Sequence, residues 1–416
     1  MPEILEPPTT VTDTWLTRIQ NDAKARFESL EWPTRTDERW RFSKLKRSDI
    51  SGFQPAPAAA DVKPLIDASA GLEKPTAQVV FCNHEMIHSS GLEQCGIHIS
   101  TLDNADPDLV AKHLETLKGS LGSEKYIALQ QSSEMSGLVV HAGPNAVVDG
   151  VIEIVRWVEG NAVSVFPLTL VIAQANSNIA ILERIRSADS GAQLAIAGTL
   201  LDASDGAQVT YAHSQELTDD SKFVHELHSR TGKDAQIRAL VANFGCGWVR
   251  QELSGRIDEQ GANCELFGVN LAHDGQEIDQ RTYQQHLAPN TRSDLLFKNA
   301  LFDKARTIFS GLIHVYEEAH YTDAFQTCRN LLLSDDAEAH SMPGLEINAD
   351  QVRCSHGATS GQIDEEELFY LRARGIRDEQ ARRIITQGFS ADVICRLKND
   401  GIEDLLERLV GKWLTK

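Results

Sequence analysis

The stretch VIEIVRWV, Val151 to Val158, decides how the middle of this chain folds. Apolar and polar side chains alternate along it, as they do on a half-buried strand whose residues point to opposite faces in turn. Similar short runs flank it on both sides: QVVFC, GLVVHA, LTLVIAQ, NIAILERI, AQLAIAG, AQVTYAHSQEL, QIRALVANFG and GLIHVYEEA. Polar turns separate them. Long helical periodicity is scarce from residue 76 to 350, apart from short segments near Ser214–His228. The texture predicts an all-β body, which a sandwich, a barrel or a stacked β-helix would equally satisfy. No clean internal repeat chooses among them.

The ends read differently. From residue 13 to about 30, Leu16, Ile19, Ala23, Phe27 and Leu30 recur at helical steps. A Trp-Pro turn and a mixed aromatic and basic stretch follow in EWPTRTDERWRFSKL, and QPAPAAADVKP, Gln54 to Pro64, reads as a linker. Toward the other end, Asp364 with Glu367 fits a helix cap, and Gly375 stops the helix that it opens. Asp378 begins a second helix, ending near Gly388, and Ser390 is placed to cap a third. The last helix, from about Ile402, carries Leu405, Leu406, Leu409, Val410, Trp413 and Leu414 on one stripe. Such a stripe packs within its own small domain or docks a partner. The expected division is a helical region and linker over 1–75, a β core over 76–350, and a C-terminal segment with a helical domain over 351–416.

Bulk properties exclude several functions. With 40 Lys+Arg against 60 Asp+Glu the formal net charge is -20, which disfavours nucleic acid and anionic membrane surfaces as partners. No run approaches the ~20 apolar residues of a membrane span. The start, MPEILEPPTT, has neither a basic region nor a long apolar region, so a cytoplasmic location is expected. There the 7 scattered cysteines, none in a CxxC, are expected as thiols.

One local pattern stands out. His84-Glu85-Met86-Ile87-His88 is a literal H-E-x-x-H, which on a helix sets two zinc ligands beside a general base. It follows a strand-like run, however, and Met86, Ile87, Ser89, Ser90 and Gly91 make a poor helix. The extended motif would need histidine where Gln94 stands; His98 is four residues further on. A polar strand-turn-strand is the preferred reading, and a zinc hydrolase built on His84, Glu85 and His88 is the alternative. FGCGWV, around Cys246, has no helix after it and is not a phosphate loop. His225 and His228 read as exposed polar residues, and Asp335 and Asp336 as a solvated turn. There is no GxGxxG, Walker or GxSxG motif.

Longer matches lie downstream. TRSDLLFK, NLLLSD, CSHGAT and DEEELFYLRARGI, within His286–Ile376, together closely resemble the SufB/SufD family of iron–sulfur cluster assembly proteins, and DERWRFSKL, Asp37 to Leu45, is similar to the family's amino-terminal pattern. The resemblance is strong over about the last 130 residues and covers the rest in outline. SufB-type members carry a functional cysteine where Ala337 stands here, and a glutamate after the histidine where Gly357 follows His356. Cys354 and His356 remain, which is the SufD-type pattern.

The resemblance implies a mainly β fold: a right-handed parallel β-helix flanked by N-terminal and C-terminal α-helical regions. It implies a non-catalytic scaffold that pairs with a SufB-like paralogue and docks a SufC-like ABC ATPase, in a SufBCD complex that builds nascent clusters and passes them to apo iron–sulfur proteins. A reduced flavin in the complex, and a homodimer of the chain alone, are further implications. The docking region would hold Leu368, Phe369, Tyr370, Arg372, Arg374, Gly375 and Ile376, with Phe369 also a candidate for domain core. Cys354 and His356, two apart on an extended segment, point to the same side. A thiolate and an imidazole there make an interface site for transient iron or a cluster, which a partner must complete. The plainer alternative is a small buried cysteine and a hydrogen-bonded histidine.

Overall fold

A computed structural model describes residues 14–91, 93–94 and 96–415, without the side chains of Glu93 and Gln94. The expectations placed on MPEILEPPTT and on the side chain of Gln94 lie outside the described residues.

The chain winds as a parallel β-solenoid of about eight turns, with helices at its ends. Its opening strands are β1 (Gln54–Pro55), β2 (Ala77–Cys82), β3 (Glu85–Ser90), β4 (Glu93–Gln94), β5 (Ile97–Thr101) and β6 (Met135–Ala142). The coils then alternate between two sheets: β7 (Ile152–Val158), β8 (Val163–Ala173), β9 (Asn178–Ser187), β10 (Gln193–Ala203), β11 (Gln208–Glu216), β12 (Lys222–Thr231), β13 (Gln236–Asn243) and β14 (Trp248–Ile257). They continue as β15 (Asn263–Ala272), β16 (Glu277–His286), β17 (Arg292–Leu301), β18 (Arg306–Val315), β19 (Asp323–Leu332), β20 (Glu338–Ile347) and β21 (Arg353–Gln362). The even members from β6 to β20 lie side by side in an 11-stranded sheet, the odd members from β7 to β21 in a 10-stranded one. The stacked β-helix is thus the right choice among the three open architectures. Solenoid strands continue to Gln362, beyond the residue-350 limit of the expected core, and α3 (Pro107–Leu114) and α4 (Glu124–Ser132) stand inside that stretch.

VIEIVRWV shows why alternation alone misleads here. Every residue of β7 is buried. Ile152 and Ile154 face the lumen, whereas Val155 and Trp157 pack outward under Leu65 and Ile87. Glu153 lies on that covered outer face and Arg156 on the lumen side, so both are buried, and buried charges need partners. Arg156 meets Glu183 at 2.5 Å. Burial opposes ionisation of Glu183, but Arg156 beside it holds the carboxyl below its usual range. Ser214–His228, expected to include short helices, is the end of β11, a turn and most of β12.

Apolar clusters fill the lumen: one near the open end around Ile313, Val315 and Ala324, and two along its length, one around Ile181, Leu201, Leu266 and Phe297 and one around Val165, Phe223, Val249 and Leu301. Between the last two runs a polar stripe. Asn243, Asn270, Asn299 and Asn330 hand hydrogen bonds down the stack, Nδ2 to Oδ1, at 2.6, 2.7 and 2.7 Å. On the facing sheet, His225 accepts at Nδ1 from Gln251 Nε2 (2.9 Å) and meets the Thr199 hydroxyl at Nε2 (3.0 Å). The corners turn through left-handed residues such as Asp234 and Asn290. Gly261, at φ 77°, sits where a Cβ would fall 2.0 Å from Asp234 Oδ1, so only glycine fits that corner.

Helices seal the outer faces. α1 (Trp15–Ser29), capped by Thr14, packs with α3 and α4 over the 11-stranded sheet. At the C-terminal end α5 (Glu365–Ala373), α6 (Asp378–Ile394) and α7 (Asp400–Trp413) follow the last coil. α6 runs through Gly388, and Ser390 donates to the Thr386 carbonyl within it rather than capping a new helix. The stripe of α7 packs within its own domain, on Val393, Ile394 and Leu397, and also beyond it: Ile402, Leu406, Val410 and Trp413 join Leu182, Leu240, Phe267 and Leu296 of the other sheet.

Candidate functional site at the open end of the solenoid

The last coil leaves two strand edges without a neighbour among the described residues: β20 pairs only with β18, and β21 only with β19. Cys354 and His356 lie on β21, in register with the lumen residues Ala324 and Gln326 of β19. They therefore share the inward-facing row at the mouth of the lumen, as spacing two apart requires. His356 is exposed and Cys354 half-buried. Burial pushes the Cys354 thiol up, while the Ala324 backbone N–H opposes that. Until a metal or a partner lowers it, this thiol favours its protonated, weakly nucleophilic form. Ser360, in the same row, receives the last bond of the asparagine stack from Asn330 at 3.1 Å.

Ala337 is buried against Ala305 and Ala339 just before β20. A Cβ added at Gly357 would meet no atom within 4 Å, so the lack of a carboxylate there is not a matter of space. Cys328, one coil deeper, is held by Ser341 and Asn330, and burial pushes its thiol up to about 12. Such a buried thiol is inert.

The tail presents a second surface. Asp364 caps α5 through the Glu366 N–H at 2.8 Å. Leu368 is its buried anchor. Phe369 is 71% and Tyr370 56% exposed, so Phe369 is not domain core. Arg374 lies over the Tyr370 ring at 3.5 Å, and Arg372 reaches Asp378 at 3.6 Å. Gly375 turns the chain at φ 84°, and Ile376 tucks back beside Leu368. Ion pairs Lys298–Asp392 (2.5 Å) and Arg396–Asp294 (2.8 Å) fasten α6 and the turn after it to the solenoid.

The H-E-x-x-H pattern does not form a metal site. His84 occupies the turn of a hairpin, and Glu85 to His88 are strand β3, paired antiparallel with β2. A helical turn is needed to bring the two imidazoles together, and it is absent here. Among the described residues, the group of three metal-capable side chains that converges within 4.8 Å is His273, Asp274 and Asp303 instead, largely exposed on two corners. The zinc-hydrolase alternative therefore falls. His84 stacks on Phe166, and burial lowers its pKa. His225, expected at the surface, is fully buried; Asp335 and Asp336 do form an exposed turn.

Sequence reasoning missed a contact at the same open end. Phe42 stacks on His340 of β20, with ring centroids 4.8 Å apart. Only its place inside DERWRFSKL hinted at a role.

The chain is similar to known proteins along most of its length. The profile described as SUF system FeS cluster assembly, SufBD core domain, matches residues 156–389. An iron–sulfur cluster assembly SufBD family protein of Mycobacterium leprae is 28% identical over 393 residues, 92% of this chain and 90% of that one. The iron–sulfur cluster assembly protein SufD of Bacillus subtilis is 24% identical over 411 residues, 96% of this chain and 94% of its own length. SufD of Escherichia coli is 34% identical over 171 residues, 41% and 40% of the two chains.

Proposed function

Because the chain belongs to the SufBD family of the SUF iron–sulfur cluster assembly system, we propose that it is a SufD-type scaffold subunit, not itself an enzyme. In this reading it pairs with a SufB-like paralogue through the open end of its solenoid and docks a SufC-like ABC ATPase on its helical tail. Clusters form transiently at the paired ends and pass to apo-proteins, with ATP turnover supplied by the ATPase. A reduced flavin belongs to the assembled complex, and the chain alone forms a homodimer through the same open end.

The observation that carries this reading is the mouth of the lumen. Two free strand edges offer backbone donors and acceptors for a further strand, and the row between them carries His356 and Cys354. Two ligands from this chain leave the remaining positions of an iron site to the opposite subunit, as suits a cluster that must later leave. Exposed Phe325 and Ile347 supply apolar contact on the same two coils.

The test is His356→Ala in the co-expressed complex, with iron and acid-labile sulfide measured anaerobically. The complex is expected to assemble and its cluster yield to fall. Normal yield would remove His356 from the site.

A further inference from the structure

Residues Arg39 to Arg47 cross the outer face of the 11-stranded sheet as a strap, and each coil below holds it by an arginine. Arg250 of β14 donates to the Arg39 carbonyl at 3.1 Å and lies over the Trp40 ring at 4.2 Å. Arg281 of β16 donates to the Arg41 carbonyl at 3.0 Å, and Arg306 of β18 to the Phe42 carbonyl at 2.5 Å. The strap then returns: the Lys44 N–H donates to Glu277 at 3.0 Å, and Arg47 donates to the Gly247 carbonyl at 3.0 Å.

Phe42 is the apex of this loop. Its φ of 68° lies in the left-handed region that a residue with a Cβ adopts only when its surroundings enforce it. What the conformation achieves is a ring laid flat on His340, at an interplanar angle of 10°. Arg306 ties the arrangement together, also reaching Glu338 at 2.9 Å and His340 Nε2 at 3.0 Å. Since the guanidinium only donates, that imidazole nitrogen accepts.

The ring remains 40% exposed although the strap around it is held along its length. It sits on β20, one of the two free edges, so it is continuous with the open end. Beside it lies a groove of about 790 Å³ lined by Arg35, Arg41, Lys44 and Lys46, a basic patch on a chain of net charge -20.

The geometry points to Phe42 and His340 as part of the surface that the SufB-like paralogue buries, its facing rim acidic where it meets Arg41 and Lys44. This rests on the pairing proposed above and adds the N-terminal strap to the interface. An aromatic ring fixed on its far face loses little freedom on being covered, which suits an interface anchor. The surrounding cations steer an acidic surface toward it.

The experiment measures the dissociation constant of the full-length chain with the SufB-like paralogue of its own source, across a salt series. Phe42→Ala is expected to weaken pairing about tenfold or more, while ATPase binding stays as in the parent. Lys44→Glu, at an exposed position, is expected to slow association and flatten its salt dependence. If Phe42→Ala lowers the melting temperature of the free chain, Lys44→Glu decides by itself. Parent-like pairing by Lys44→Glu and by a folded Phe42→Ala would overturn the inference. A parent chain that does not pair at all would overturn the pairing proposal itself, and this inference with it.

Discussion

Asn299 donates its side-chain amide to Oδ1 of Asn330 at 2.7 Å, one coil further toward the open end, and both side chains are buried. The same bond links Asn243 to Asn270 and Asn270 to Asn299, so each inner amide serves two coils. Its value lies less in the bond than in the cost of leaving a buried partner unpaired. Asn299→Ala strands Asn270 and removes a donor from Asn330. It should cost about 1–3 kcal/mol, read as a lower urea midpoint. An unchanged midpoint would make the stack incidental.

Glu226 is fully buried on the outer face of β12, beside Glu252 in the next coil. Burial first, then repulsion from Glu252, pushes its carboxyl up from 4.5 to about 8. The folded chain thus keeps a proton that the unfolded chain releases. This group's contribution is full below about pH 4.5, fades as pH rises toward 8, and is flat beyond. Glu226→Gln still accepts the Gly119 N–H. The variant should melt higher than the parent at pH 8 and lose that advantage near pH 5. An equal gain at both values would contradict the assignment.

On the tail, Phe369 and Tyr370 face outward while Leu368 anchors the helix. Phe369→Ala with Tyr370→Ala should leave the melting temperature nearly unchanged and weaken binding of the ATPase by about tenfold or more. Undiminished binding in a pull-down would move the docking surface elsewhere. Deleting the whole tail is a poorer test, because it would also uncover the sheet beneath α7.

Trp413 is buried where α7 meets the solenoid, among Phe302 and His273. Trp413→Ala should cost about 3–5 kcal/mol. If α7 were an independent lid, its amides alone would exchange faster in hydrogen exchange. If it is part of the core, as its contacts indicate, the strands of β9, β13 and β15 should lose protection with it.

Much of this was legible. TRSDLLFK, NLLLSD and CSHGAT carry the family, and the strand runs carry the β character. The repeat was hidden because a solenoid repeats position, not letters. Gln208, Gln236, Asn263, Arg292, Asp323 and Arg353 stand in line across the second sheet, yet no single side chain recurs through all of them. What recurs is a small buried residue before each of the first five, Ala207, Ala235, Ala262, Thr291 and Thr322, and parity after it. Glu153 and Arg156 misled because polar residues normally mark a wet face, and here both faces are dry. His225 misled for the same reason. His84, Glu85 and His88 matched a motif whose chemistry needs a helix, in a segment that pairs as a hairpin. Phe42 left little trace beyond its place in DERWRFSKL, since its role depends on a contact with His340, far along the chain.

The most direct test of the scaffold account is native mass spectrometry of the tagged chain, co-expressed with its SufB-like paralogue and the ABC ATPase and purified without oxygen. The account expects one assembly containing all three, which His356→Ala leaves intact but poorer in iron and sulfide. Recovery of this chain without the paralogue would contradict it.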